Sequence, residues 1–372
     1  MMSSATETST TTPAAHASTA STAGTSVPKR SYTFVGAGAI GGTIAHALVR
    51  AGHEVVLVDA DAAHIEAIRA DGLRIRATDG TDDAVRVAGA YTPDDYPADL
   101  PPIERVVITT KSQHTRTAAE WSAPRLTPEG YAISVQNGTN APVIAEAIGE
   151  GRVIGTFVNI FADYLEPGVI SFGGTGALAV GMPDGSAPDG RALQVAADFR
   201  AYGPVTASGN VRGYHFAKRA FGGILGLTSL VDAPMAEVVN ANRDLVRALA
   251  AESTEVAIRA GILLESFDGY EPYAFRPDAP ADVTEAAIDR LVRYLAGQPK
   301  DRSGGFRDIA VRKRPLERGL IDDGYADLAR QHGVDTSLST DIGRTMELIS
   351  AGELDFSPER LEDLRRTHLA QL

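Results

Sequence analysis

The stretch "TFVGAGAIGGTIAHAL", residues 33–48, decides the fold. It starts apolar and β-branched, breaks into glycines at Gly36, Gly38, Gly41 and Gly42, then continues with helical spacing. Gly36-Ala37-Gly38-Ala39-Ile40-Gly41 is a G-x-G-x-x-G pattern, weak by itself. Its surroundings give it meaning. "SYTFVG" before it reads as a strand. Ala39–Ala51 after it reads as a helix with Ile40, Ile44, Ala47 and Leu48 on one face and Gly52 as its stop. "HEVVLVDAD" is a second buried strand, and it ends in Asp59, 23 residues beyond Gly36. Dinucleotide-binding loops place an acid about 20 residues on. In that reading Gly36 makes the turn, Gly38 lets the backbone approach a pyrophosphate, and Gly41 lets the helix pack on the strand. The first turn, with Ala39 and Ile40, then offers free N–H groups to the phosphates.

Asp59 also bears on the cofactor. A carboxylate there accepts from ribose hydroxyls and repels a 2′-phosphate. Asp61 adds a second negative charge, and Lys111 at the end of "VITTK" is the nearby cation candidate. NAD(H) is therefore favoured, with NADP(H) as the alternative.

Moving outward, the alternation persists. Ala62–Ala70 reads as a helix, "IERVVITTK" and "GYAISVQNG" as strands, and "RVIGTFVNIFA" and "GVISFGGTGALAVG" as continuations of the sheet. This β-α-β rhythm with apolar strands implies a parallel sheet covered on both faces. From about Asn210 the pattern turns helical, over Tyr214–Val231, Ala236–Ala260, Val283–Leu295, Tyr325–Gln331 and Thr340–Ala351. The expected organisation is a tail at 1–29, a Rossmann domain at 30–208 and a helical substrate and dimerisation domain at 209–372. The Ser/Thr/Ala-rich tail lacks the basic start and apolar block of a secretory signal and reads as disordered.

Composition narrows the function. The 372 residues carry a formal charge of −13, which argues against nucleic acid as a main partner. There is no cysteine, so disulfides and thiolate metal sites are excluded. The histidines are scattered without ligand spacing, so no metal is expected. No apolar run reaches the roughly 20 residues that span a bilayer. The expectation is a cytoplasmic enzyme of small molecules.

Five pieces carry a resemblance: "GAGAIGG" at 36–42, "TTKSQHT" at 109–115, "SVQNG" at 134–138, "HFAKRAFGGILGLTSL" at 215–230 and "SGGFRDIAVRKRPLE" at 303–317. In this order they resemble the ketopantoate reductase family, with "EPGVISFGG" at 166–174 as weaker support. The resemblance implies an α/β Rossmann domain followed by an all-helical domain, a 6-phosphogluconate-dehydrogenase-like arrangement with the active site in the cleft. It implies reduction of a 2-oxo acid by a nicotinamide hydride, in a homodimer. It places Lys218 as catalytic lysine, Asn137 beside nicotinamide and substrate, Glu317 as substrate ligand and partner of the lysine, and Lys111 on the cofactor. Ser303 falls near a substrate-binding serine, although Gly304 fits that column equally. The chemistry suits these types. Hydride addition builds charge on the carbonyl oxygen, and a protonated amine both stabilises that oxygen and gives it a proton.

The match also breaks. The family's lysine helix carries asparagines four and eight residues after the lysine, where this chain has Gly222 and Gly226. These positions share a face with Lys218. Either another helix packs closely there, or a substrate larger than ketopantoate occupies the space. The basic run Lys300–Arg318 is either a solvated face or a source of an arginine, Arg307 or Arg312, for a substrate carboxylate. His215, three residues before Lys218, reads as a core or surface histidine, with a proton relay as the alternative. Three functions follow: hydride transfer on a 2-oxo or 2-hydroxy acid or related oxo compound with Lys218 as general acid/base; the 2-dehydropantoate 2-reductase step of pantothenate synthesis itself; or, in a different class, a non-catalytic dinucleotide sensor.

Overall fold

The computed structural model describes residues 28–313 and 324–369. An eight-stranded sheet forms the centre of the first half. Its strands are β1 (Ser31–Val35), β2 (Glu54–Val58), β5 (Gly89–Tyr91), β6 (Ile103–Ile108), β7 (Leu126–Ser134), β8 (Val153–Val158), β11 (Leu178–Gly181) and β12 (Val205–Ala207). They lie in the order β12-β11-β8-β7-β6-β1-β2-β5. The strand order reverses at β1, between β2 and β6, and that crevice is where doubly wound sheets take their ligands. Helices α1 (Ala39–Arg50) and α2 (Ala62–Asp71) follow β1 and β2, while α3 (Thr115–Ser122), α4 (Ala141–Ile148) and α5 (Gly190–Phe199) follow β6, β7 and β11. Tyr32, Phe34, Val55, Leu57, Val107 and Ile133 are buried on one face of the sheet, and Val35, Val58, Val106, Ile108 and Ala132 on the other.

Two departures from the sequence pattern matter. The sheet is not wholly parallel, because β11 runs antiparallel to β8. And "GVISFGGTGALAVG" serves two sheets. Its start is β10 (Val169–Ser171), which joins β3 (Leu73–Arg76), β4 (Asp82–Val85) and β9 (Asp163–Glu166) in a second sheet ordered β4-β3-β10-β9. The glycines between the two sheets explain the split. A Cβ on Gly173 would lie 1.3 Å from the Phe161 carbonyl oxygen, and one on Gly176 would lie 1.8 Å from that of Asn159. The chain crosses another backbone there, which only glycine permits. The second sheet covers α1: a Cβ on Gly42 would collide with Ile170 Cδ1 at 2.1 Å.

After β12 the chain is helical: α6 (Val211–Thr228), α7 (Met235–Ala241), α8 (Arg243–Arg259), α9 (Ala281–Ala296), α10 (Gly304–Ala310), α11 (Tyr325–His332), α12 (Ser337–Ser350) and α13 (Glu359–His368). Asn210 caps α6 by accepting from the Gly213 N–H at 3.0 Å. The apolar face of α6, including Phe216, Phe221, Ile224 and Leu227, is buried in the core of the second half. The expected single helix over 236–260 is two, because Asn242 turns its amide onto the Val238 carbonyl at 2.8 Å and breaks the run. Among the described residues no helix is long and apolar enough to cross a membrane.

Two polar ties join the halves. Asp268, at φ 45° in the turn between Phe267 and Tyr270, accepts from Asn159 Nδ2 at 2.7 Å and from the Ala177 N–H at 2.9 Å. Asp163 at the start of β9 meets Lys300 at 2.8 Å, Arg307 at 2.8 Å and Arg312 at 2.5 Å. Burial pushes the Asp163 carboxyl up, but Lys300 and Arg312 outweigh it and hold it below the usual range.

A buried acid in the helical half gives a stability test. Glu252 on α8 accepts from the Ser339 N–H at the start of α12, and its Oε1 is buried without a hydrogen-bond partner. Burial raises it to about 7 from an ordinary 4.5. The folded chain thus holds this proton more tightly than the unfolded chain, so stability falls as pH rises from 4.5 through 7. Glu252→Gln keeps the acceptor and removes the charge. It should raise stability at pH 8 by about 3 kcal/mol and leave it unchanged near pH 4. Urea unfolding at both pH values checks this, and an equal effect at both contradicts it.

Candidate active site

The crevice between β1 and β6 is built from backbone in close approach. Gly36 has φ +103°, and a Cβ on it would lie 2.8 Å from the Thr109 and Thr110 backbone. A Cβ on Gly41 would lie 2.1 Å from the Gly36 carbonyl oxygen. These two glycines serve packing of loop, strand and helix. Gly38 differs: a Cβ there meets no described atom within 4 Å, and Gly38 caps α1 with no side chain on the helix N-terminus. An open, uncapped N-terminus with Ala39 and Ile40 in its first turn fits a dinucleotide pyrophosphate.

Asp59, expected on the ribose, also serves the loop. Its Oδ2 accepts from the Ala37 N–H at 2.7 Å and its Oδ1 from the Asp61 N–H at 3.0 Å. A carboxylate has about four acceptor sites, so each oxygen keeps one for a hydroxyl. Asp61 caps α2 through the His64 N–H at 3.1 Å and accepts from the Tyr164 hydroxyl at 3.0 Å.

The loops after β6 and β7 form the next wall. Lys111 is exposed at the end of β6, where a short turn over Ser112–His114 begins. Gln136, buried, donates to the Thr110 carbonyl at 2.9 Å and to Thr115 Oγ1 at 2.7 Å. Asn140 donates to the Asn137 carbonyl at 2.9 Å and accepts from Thr115 at 3.2 Å. Together they hold Asn137, with Gly138 beyond it at φ +77°. Gln136, Thr115 and Asn140 were not among the expected site residues. The signal was the joint presence of "TTKSQHT" and "SVQNG", whose polar side chains bond to each other.

Lys218 comes to this wall from α6. Its Nζ donates to Asn137 Oδ1 at 2.8 Å and to the Val158 carbonyl, and it lies 5.6 Å from the Phe157 ring centre. Two residues 81 apart in sequence thus meet across the two halves. His215, one turn earlier, sits edge-on to Phe157. Burial and the Lys218 charge lower it to about 4, so it is neutral near pH 7. Glu317, the expected partner of the lysine, lies outside the described residues.

The glycine face divides. A Cβ on Gly222 meets no described atom within 4 Å, whereas one on Gly226 would touch Met346 at 3.4 Å and Ile342 at 3.6 Å on α12. So Gly222 leaves space beside Lys218, and Gly226 faces a neighbouring helix at ordinary contact distance. Ser303 is buried: it caps α10 through the Phe306 N–H at 3.2 Å and bonds Ser229 Oγ at 2.6 Å. Gly304 beside it faces open space among the described residues. Arg307 and Arg312 are turned onto Asp163 rather than waiting for a carboxylate.

Comparison with known proteins finds relatives of both halves of the chain. Residues 32–185 match the family described as Ketopantoate reductase PanE/ApbA, and residues 210–347 match Ketopantoate reductase PanE/ApbA C terminal. A 2-dehydropantoate 2-reductase of Halobacterium salinarum is 28% identical over 305 residues, 80% of this chain and 92% of that protein. The crystal structure of a PanE/ApbA family ketopantoate reductase from Ralstonia eutropha JMP134 superposes with a TM-score of 0.69 at 26% identity, covering 87% of this chain and 99% of that one. D-mandelate dehydrogenase, solved with NADH and anilino(oxo)acetate, shares the fold with a TM-score of 0.70 at 17% identity, covering 87% and 98%.

The Asp163 cluster yields a prediction. Asp163→Ala leaves three partly buried cations facing each other and should cost about 3 kcal/mol at pH 7. Because the folded carboxyl titrates below its ordinary 3.8, its contribution is present above that pH and is lost as pH falls through the depressed value. Denaturant titrations should show the gap between variant and wild type at pH 7 closing in strong acid.

Proposed function

We propose a reaction for this chain from one premise: it belongs to the ketopantoate reductase family and is a dinucleotide-dependent oxidoreductase. The reaction is hydride transfer at the C2 carbonyl or hydroxyl of a 2-oxo or 2-hydroxy acid, with Lys218 as general acid/base. The Lys218–Asn137 contact across the two halves carries this reading. A nicotinamide bound in the crevice supplies or takes the hydride. Gly38, Ala39 and Ile40 would hold its pyrophosphate and Asp59 its ribose. The chain's own part is charge and proton. Lys218 gives a proton to the oxygen as it becomes an alkoxide, or takes one in the reverse direction. Asn137 and the Val158 carbonyl aim Nζ, and Asn137 offers an amide to substrate.

NAD(H) suits the loop better than NADP(H). Asp59 and Asp61 would bring two carboxylates near a 2′-phosphate. Hydrogen bonds from the His64 N–H and Tyr164 outweigh burial and hold Asp61 below its ordinary value, so it stays charged. The space at Gly222 favours an acid bulkier than ketopantoate. D-mandelate dehydrogenase suggests a probe class, 2-oxo acids with an aromatic substituent. Ketopantoate itself is the runner-up. A homodimer joined through the helical half is part of the proposal, as a ketopantoate reductase of Staphylococcus aureus with the same fold is described as dimeric.

Three measurements test it. Lys218→Ala should lower kcat by about 10²–10⁴ while cofactor still binds; near-wild-type kcat would refute the assignment. The kcat/KM for NADH should exceed that for NADPH by about tenfold, reflecting ~1.4 kcal/mol of charge repulsion; the reverse ranking would remove Asp59 and Asp61 as selectors. Gly222→Asn places an amide in the space beside Lys218. It should shift selectivity from benzoylformate toward ketopantoate by about tenfold, within what one added polar contact supplies. A sensor, by contrast, would bind cofactor and turn over neither acid.

A further inference from the structure

His64 is 1% exposed, yet both of its ring nitrogens are engaged, and neither partner is a side chain. Nδ1 lies 2.9 Å from the Gly168 N–H, a donor, so Nδ1 accepts. Nε2 lies 2.9 Å from the Ala37 carbonyl, an acceptor, so Nε2 carries the hydrogen and donates. The ring therefore bridges the glycine loop after β1 to the turn between β9 and β10.

The Ala37 carbonyl belongs to the peptide whose N–H is that of Gly38. In a trans peptide the C=O and N–H point in opposite directions. A carbonyl held toward His64 aims the Gly38 N–H the other way, and a Cβ on Gly38 would meet no described atom within 4 Å. The preceding peptide is held too, by Asp59 on the Ala37 N–H at 2.7 Å. Both peptides around Ala37 are thus oriented by side chains, one just after β2 and one on α2. The flanking glycines would otherwise leave the loop soft.

We propose that His64 is a positioning residue for dinucleotide binding, fixing the Ala37–Gly38 peptide so that its N–H faces the pyrophosphate. The β9–β10 hairpin is the anchor. It supplies the Gly168 N–H, sets Tyr164 against the His64 ring at 5.0 Å, and presses Ile170 onto Gly42 of α1. Without the Nε2–H donor the peptide can rotate and the phosphate site loses a fixed donor before any ligand arrives. This rests on the cofactor reading of the glycine loop.

The test uses direct binding, on the full chain. His64→Phe fills the space but makes neither hydrogen bond. His64→Gln can donate to Ala37 and accept from Gly168. Calorimetric titration with ADP-ribose should show affinity weakened by about tenfold or more in His64→Phe and within about threefold of wild type in His64→Gln. Adenosine, which lacks phosphate, should bind all three alike, and kcat at saturating cofactor should stay within about twofold of wild type while the cofactor KM rises. Unchanged ADP-ribose affinity in His64→Phe overturns the proposal, as does an equal loss for adenosine, which would mark a merely structural residue. If His64→Phe is too unstable to purify, His64→Asn, too short to span both partners, carries the same comparison. Wild-type protein that failed to bind ADP-ribose would defeat the cofactor reading itself, and the proposal with it.

Discussion

The structure hangs on a place where three backbone segments meet with no room for a side chain. The turn after β1, the first turn of α1 and the end of β6 close on one another at Gly36, Gly41 and Thr109, with spaces too short for a Cβ at either glycine. Thr109 also donates from its hydroxyl to the Gly36 carbonyl, and its N–H bonds Val35. This contact sets the angle at which α1 leaves the sheet. It therefore sets where the helix N-terminus points and where the crevice opens.

Everything chemical is then arranged around that crevice by polar groups that hold backbone. Asp59 and His64 hold the two peptides flanking Ala37. Gln136, Thr115 and Asn140 hold the loop that carries Asn137. Lys218 arrives from the other half and closes the set. The pattern is of side chains spent on orienting backbone. That is the economy expected where electrostatic preorganisation matters more than the number of contacts.

The two halves are held together by charge as well as apolar packing. Asp163 gathers three cations from the segment 300–312, and Asp268 reaches back to Asn159 and Ala177. These ties sit beside the strand end that offers the Val158 carbonyl to Lys218. The ties between the halves and the acceptor of Lys218 thus lie within a few residues of one another. This gives the basic segment a role in assembly, which its composition alone leaves open between a solvated face and a substrate clamp.

What the chain's sequence determined by itself was local and periodic. The glycine spacing, the acid after β2, the alternation of strands with helices and the turn to helix near residue 210 were legible because each depends on neighbours within a few turns or one β-α-β unit. Lys218 and Asn137 stood out only through the resemblance carried by their motifs, since a lone lysine on a helix ordinarily reads as a solvated charge. Tertiary structure decided the rest. It split "GVISFGGTGALAVG" between two sheets, because Gly173 and Gly176 pass against the connection between β8 and β9, a dozen or more residues earlier in the sequence. It divided the glycine face of α6 into open space at Gly222 and helix contact at Gly226. It turned Arg307 and Arg312 onto Asp163, and put His64 between two backbones 131 residues apart. Each of these depends on which distant segments come to lie side by side, and no periodicity along the chain encodes that.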